Sequence, residues 1–218
     1  MRQVSADHRV AIIGDGGDGA ALAELAGRVP VIIGRGPSHA GWQDRYPSDR
    51  FYRIAINPFG RVPQTYTEPT ATPDTDAVEA WSSFDPVWRK CVPRHLRWTE
   101  RTLWCSPFLA EHTALVGSAF VFDKERVQPL LTESQSVLIA ALAACGAKDV
   151  VICGCDLAGE HQTMYIRRAR LLGETDRLQF ATGIRVWMDP QTKFPELAKP
   201  WRDDRGEHAR LEGAAVAE

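Results

Sequence analysis

Short β-branched runs alternate with helix-forming stretches along most of the chain. Val10-Ala11-Ile12-Ile13 and Val31-Ile32-Ile33 each end at a glycine and flank a helical stretch from Ala20 to Arg28, which predicts a βαβ unit. A third run, Phe51 to Ile56, stops at Asn57-Pro58, where proline ends a strand and forces the residue before it into an extended conformation. Further on, Val116 to Val121 predicts a strand, and Ser134 to Cys145 is apolar nearly all round, which predicts a buried helix ended by Gly146. Asp149 to Gly154 is continuously apolar, as central parallel strands are. A basic helix from Met164 to Leu172 and a late strand from Arg177 to Thr182 complete the series. This order predicts an α/β fold: one Rossmann-like domain over residues 1–188, with an open, mostly parallel sheet and helices on both faces.

Two stretches break the alternation. Gln64 to Asp76 is rich in Thr, Pro and acids without apolar periodicity and reads as a long loop. Residues 77–105 carry Trp81, Trp88, Trp98 and Trp104 among Arg89, Lys90, Arg94, Arg97 and Arg101, with Pro86 and Pro93 cutting the segment into short pieces. This predicts a Trp-rich helical insertion or lid over the sheet; the same composition would also suit a nucleic-acid contact. Beyond Met188 the chain is Pro-rich and charged, which predicts a loosely packed tail over 189–218.

Composition narrows the classes. With 218 residues, 44% hydrophobic content and a net charge of -2, the chain suits a single globular domain that no global field draws to nucleic acid or anionic membrane. No apolar run approaches the roughly 20 residues of a membrane span, and Met1 to Val10 lacks the apolar core of a signal peptide, so a cytoplasmic protein is expected. The five cysteines, Cys91, Cys105, Cys145, Cys153 and Cys155, show no paired metal-ligand spacing and are expected to be reduced and mostly buried. Cys153 and Cys155 are expected to point the same way from one strand. No structural metal is expected.

Three glycine-bearing or helix-opening motifs could hold a phosphate. Gly14, Gly16 and Gly19 form G-x-G-x-x-G between a strand and a helix, the setting of a dinucleotide fingerprint, although Asp15 and Asp18 would bring negative charge and Arg35 stands where a ribose-binding acid is expected. The same pattern also builds a tight turn with no ligand. Gly34-Arg35-Gly36-Pro37-Ser38 follows the second strand: Gly36 allows close backbone approach, Pro37 stiffens the turn and Ser38 offers a cap or a hydroxyl. Ser134-Gln135-Ser136 opens the buried helix, where hydroxyls and free amides can meet an anion. Asn57 and Asp156 stand at strand ends, where open α/β sheets place ligands. Each equally suits a turn or a cap.

Taken in order, Val31 to Ser38, Ile54 to Asn57, Ser134 twelve positions before Gly146, and Ala147 to Asp156 resemble the bacterial sialyltransferases that use a CMP-sugar donor. They are also similar to the wider motility-accessory-factor-like group of glycosyltransferases and pterin pyrophosphokinases. The resemblance implies that Gly34, Gly36, Pro37, Ser38 and Asn57 surround a nucleotide, that Ser134 and Gln135 contact the donor, and that His161, after the G-x-D strand end, is the catalytic base. Arg35 replaces the family's Asn and Gln135 its Gly; Arg35 suits a more highly charged phosphate. Tyr165 is a candidate support for the leaving phosphate, as are Arg167, Arg168 and Arg170.

The expectation is a nucleotide-dependent transferase, most concretely a small glycosyltransferase with a nucleotide-sugar donor, needing no cofactor, whose acceptor is a glycan, a small molecule or nucleic acid. Homo-oligomerisation is left open. A pyrophosphokinase-like reaction is the near alternative and would require Mg2+, with Asp74, Asp76 or Asp156 as ligands. An NAD(P)-linked oxidoreductase using Gly14, Gly16 and Gly19, and a binding module without chemistry, are the others.

Overall fold

The structure is a computed structural model that describes residues 9–34, 36, 40–56, 77–84, 102–107, 118–123, 131–155 and 162–191. In chain order the elements are β1 (Arg9–Ile12), α1 (Asp18–Leu25), β2 (Val29–Ile33), α2 (Trp42–Arg45), β3 (Phe51–Ile56), β4 (Ala80–Ser83), β5 (Thr102–Cys105), β6 (Ser118–Val121), α3 (Ser134–Ala144), β7 (Asp149–Cys153), α4 (Gln162–Thr182) and β8 (Arg185–Met188). The eight strands form one sheet in the order β1-β6-β5-β4-β3-β2-β7-β8, and every pairing is parallel.

Alternation along the strands sorts the core into two layers. Ile32, Tyr52, Ile54, Ala80, Trp104, Phe120, Val150 and Ile152 face one side, where α1, α3 and α4 pack through Ala21, Leu25, Leu138, Leu142, Leu171 and Leu178. Val31, Ile33, Phe51, Ala55, Trp81, Leu103, Val121 and Val151 face the other, covered in part by Trp42 and Tyr46 of the α2 region. Eight consecutive residues of α3, Gln135 to Leu142, are buried, as its all-round apolar character predicts.

Connectivity singles out one place in the sheet. From β2 the chain steps through β3, β4, β5 and β6, each beside the last; α3 then carries it back, and β7 takes the opposite side of β2, followed by β8. Beyond β2 the chain turns to the face covered by α2; beyond β7 it enters α4 on the other face. The connections diverge between β2 and β7, and it is at the carboxyl ends of the strands beside such a switch point that open α/β sheets bind ligands.

Three expectations change. Arg177 to Thr182 is the last part of α4 and not a strand: Leu171, Glu174, Thr175 and Leu178 are buried at helical spacing, while Phe180 is 95% exposed. Gly183, at φ +72°, ends the helix, and the true last strand is Arg185–Met188. Both ends of the Trp-rich segment belong to the sheet, since Trp81 and Trp104 sit in β4 and β5; residues 85–101 lie outside the described residues. Cys153 and Cys155 join opposite core layers, because Gly154 turns the backbone to φ +68° between them.

Candidate functional site

The tips of β2 and β7 are fastened together at the switch point. Ile33 lies between Ala55 of β3 and Cys153 of β7. Gly34 N donates to Cys153 O at 2.8 Å, and Gly36 N to Gly154 O at 2.6 Å. A Cβ at position 34 would lie 2.6 Å from Cys155 Sγ, 2.8 Å from Gly154 C and nearer still to Gly154 O. Glycine is therefore required there by close approach, and the loop opening at Gly34 runs directly beside the Gly154-Cys155 turn. The structure thus brings Gly34 and Gly36 to the strand end that leads into Asp156. Arg35, Pro37, Ser38, Asn57, Asp156 and His161 lie outside the described residues, as do Asp74 and Asp76. β3 ends at Ile56, on the flank of β2 opposite β7, so Asn57 follows a neighbouring strand tip.

Behind this loop lies a buried polar cluster that no local sequence signal announced. Arg45, 4% exposed on α2, donates through Nε to Asp189 Oδ2 at 2.8 Å, through Nη1 to Ala40 O at 2.6 Å and through Nη2 to Cys153 Sγ at 3.5 Å. Tyr46 Oη donates to the same Asp189 oxygen at 2.7 Å, and Asp189 Oδ1 accepts from Gln191 N. Burial alone would lower the Arg45 pKa, but Asp189 and Cys153 beside it raise it, so the guanidinium stays charged. Burial, reinforced by Asp189, pushes the Tyr46 hydroxyl and the Cys153 thiol up, and both stay neutral.

Helix α3 returns the chain from β6 to the start of β7, so its first residues lie on the side of the strands' carboxyl ends. Its approach is built by α4. Glu174, 2% exposed, accepts from Thr132 N at 2.9 Å, Thr132 Oγ1 at 2.7 Å and Glu133 N at 3.1 Å, while Arg167 donates to Glu133 Oε2 at 2.9 Å. Negative charge at this helix end therefore comes from the fold itself. Arg167, expected near a leaving phosphate, is engaged by Glu133. Just inside the helix, Gln135 Oε1 and Ser136 Oγ are buried with no hydrogen-bond partner among the described residues. This terminus suits neutral polar groups of a ligand better than its phosphate.

The glycine loop after β1 is closed upon itself. Gly14 N donates to Asp18 Oδ1 at 2.8 Å, and Asp15 N and Gly17 N both donate to Ile12 O. Gly14 and Gly16 supply the positive φ values of a tight turn, and a Cβ on Gly17 would lie 2.6 Å from Ile12 O. Nothing lies within 4 Å of a Cβ at Gly16 or Gly19. The pattern builds a turn in which the amides of Gly14, Asp15 and Gly17 are engaged internally, on a strand at the edge of the described sheet and far from the switch point. Among the described residues no group of His, Cys, Asp and Glu is placed to hold a metal ion, and no helix is long and apolar enough to cross a membrane.

No protein-family model matches the chain, and no curated protein sequence does. Solved structures do. A structure of the sialyltransferase CstII from Campylobacter jejuni in complex with a substrate analogue, CMP-3FNeuAc, matches with a TM-score of 0.51 at 14% identity, covering 83% of this chain and 87% of that one. CstII in complex with cytidine-5'-monophosphate matches at 0.47 and 16% identity, over 78% and 83% of the two chains. The apo form of an alpha-2,3-sialyltransferase from the same organism matches at 0.48 and 13%, over 83% and 82%. An open, eight-stranded parallel α/β sheet of the sialyltransferase kind is the fold of this chain.

Proposed function

We propose that this protein is a nucleotide-dependent glycosyltransferase whose donor nucleotide lies over the carboxyl ends of β2 and β7, at the switch point. The observation that carries the reading is the switch point itself: the Gly34 loop and the Gly154 turn meet there with backbone close enough to exclude a side chain at position 34. Support comes from the CstII structure of the same fold, which holds a CMP-sugar analogue. Asn57 and Asp156, which follow β3 and β7 in sequence, would bind sugar or base edges, and Arg35 the phosphate. Ser134 and Gln135 would contact neutral parts of the donor.

In this reading the neutral imidazole of His161 takes the proton of the acceptor hydroxyl as its oxygen bonds to the anomeric carbon. The bond from that carbon to the nucleotide phosphate breaks, and the nucleotide leaves with the electron pair. Replacing His161 with Ala should then cut transfer sharply while leaving nucleotide binding in place.

Thermal melting with CMP, UDP, GDP, ATP and NADPH tests the reading. A nucleotide at a hundred times its dissociation constant should add about 2.7 kcal/mol of stability. A shift with a mononucleotide, cytidine first among them, is expected. A shift with NADPH alone would overturn the proposal, and a shift with ATP and Mg2+ alone would favour diphosphate transfer.

A further inference from the structure

We propose that the buried pair Arg45 and Asp189 positions the nucleotide loop, holding the far end of residues 34–41 against the tips of β7 and β8. The inference rests on the switch-point reading of the donor site for its functional consequence, but its structural claim stands apart from that reading.

The pair joins three separate parts of the chain. Arg45 reaches Ala40 O, on the stretch leading from the glycine loop into α2, and Cys153 Sγ, at the tip of β7. Asp189, 1% exposed just past β8, receives both Arg45 and Tyr46 through one oxygen, while its own amide donates to Ile152 O of β7 at 2.9 Å. The near end of the loop is held separately, by the amides of Gly34 and Gly36 on the carbonyls of Cys153 and Gly154. The loop is thus tied at both ends to the same neighbouring strand tip. The far tie is made by a side chain, that of Arg45.

Burying two charges is a poor way to gain stability, because desolvation offsets most of the attraction, and well-packed apolar replacements are often as stable. Geometry is what an apolar replacement would not reproduce. A guanidinium offers a planar fork of donors, and here its Nε, Nη1 and Nη2 address three acceptors on three segments. A methionine in its place fills volume without fixing Ala40 relative to Cys153. Asp189 and Tyr46 then orient the fork as an outer layer of hydrogen bonds. Arg45 and Asp189 are positioning residues in this scheme, acting through the loop.

The test compares the wild type with Arg45→Met/Tyr46→Phe/Asp189→Leu, which removes both charges and their shared partner, and with Asp189→Asn, which keeps an acceptor at that place. Circular dichroism and melting establish folding. Hydrogen exchange then reads peptides covering 34–41 and, as a control, β6, and CMP affinity is measured on all three proteins. The triple variant should fold, exchange about tenfold faster at 34–41 with β6 unchanged, and bind CMP about tenfold more weakly. Asp189→Asn should fall between it and the wild type. Unchanged exchange at 34–41 in a folded triple variant overturns the proposal, as does loss of folding in both variants, which would make the pair a plain element of stability. Faster exchange at 34–41 with no CMP bound by any of the three proteins, wild type included, upholds the positioning role and removes the nucleotide reading instead.

Discussion

Placing a methyl group at position 34 probes the joint between β2 and β7 directly. In Gly34→Ala the new Cβ would stand 2.6 Å from Cys155 Sγ and 2.8 Å from the carbonyl carbon of Gly154, where comfortable contacts begin near 3.5 Å. Both obstacles are backbone or a buried sulfur, so no exposed side chain can swing away, and the two tips must part by roughly 1 Å, the shortfall from ordinary contact. Overpacking of this kind costs about 1–3 kcal/mol, against which the stiffer unfolded chain returns about 0.4–1 kcal/mol. A net loss near 1–2 kcal/mol lowers Tm by about 2–8 °C in a chain of this size. Because the parting lengthens the bonds from Gly34 N and Gly36 N to the carbonyls of Cys153 and Gly154, nucleotide binding should weaken with it. Gly173→Ala, inside α4 with nothing within 4 Å of the new Cβ, is the control. It should stabilise by about 0.5–1 kcal/mol through helix propensity. Melting curves of both variants and of the wild type, each with and without CMP, supply the data. A Gly34→Ala protein as stable as the wild type, binding CMP equally well, would refute the close approach.

Further consequences are equally direct. Glu174→Ala strips three hydrogen bonds from Thr132 and Glu133 and should cost about 2–4 kcal/mol by denaturant unfolding; a loss well below 1 kcal/mol would show that α4 does not hold the start of α3. Burial pushes the Cys105 and Cys145 thiols up to about 12 from an ordinary 9. Their contribution is therefore full below pH 9 and declines as the pH rises from 9 toward 12, on the order of 1 kcal/mol per thiol at pH 10. Replacing both with Ser or Ala should flatten that alkaline limb, and an unchanged pH profile would count against their burial. Phe180→Ser, at a side chain almost wholly in solvent, should leave the unfolding midpoint within about 0.5 kcal/mol of the wild type; a larger loss would mean that the residue is packed.

The parts legible in the sequence are those written locally. β2, β3 and β7 announced themselves because β-branched runs stop at Gly34, Asn57-Pro58 and Gly154. Helix α3 did so because it is apolar on every side. β4 and β5 carry no such signal: Ala80-Trp81-Ser82-Ser83 is buried throughout, yet two serines break any apolar pattern. The strand order has no local signature, so the switch point between β2 and β7 appears only in the fold, although its glycine loop was picked out by residue type. Arg45 and Asp189 lie 144 positions apart, and nothing near either residue foretells a buried ion pair. Turn and fingerprint share the same residues in the glycine pattern after β1, where the structure adds the bond from Gly14 N to Asp18 Oδ1.

The central claim is that the nucleotide sits over the carboxyl ends of β2 and β7. Hydrogen exchange of the full chain with and without saturating CMP tests it most directly. The account predicts slowed exchange in peptides covering 34–41 and 154–161, with residues 14–19 unaffected. Protection confined to 14–19, or found at the amino ends of the strands near Arg28 and Lys148, would contradict it.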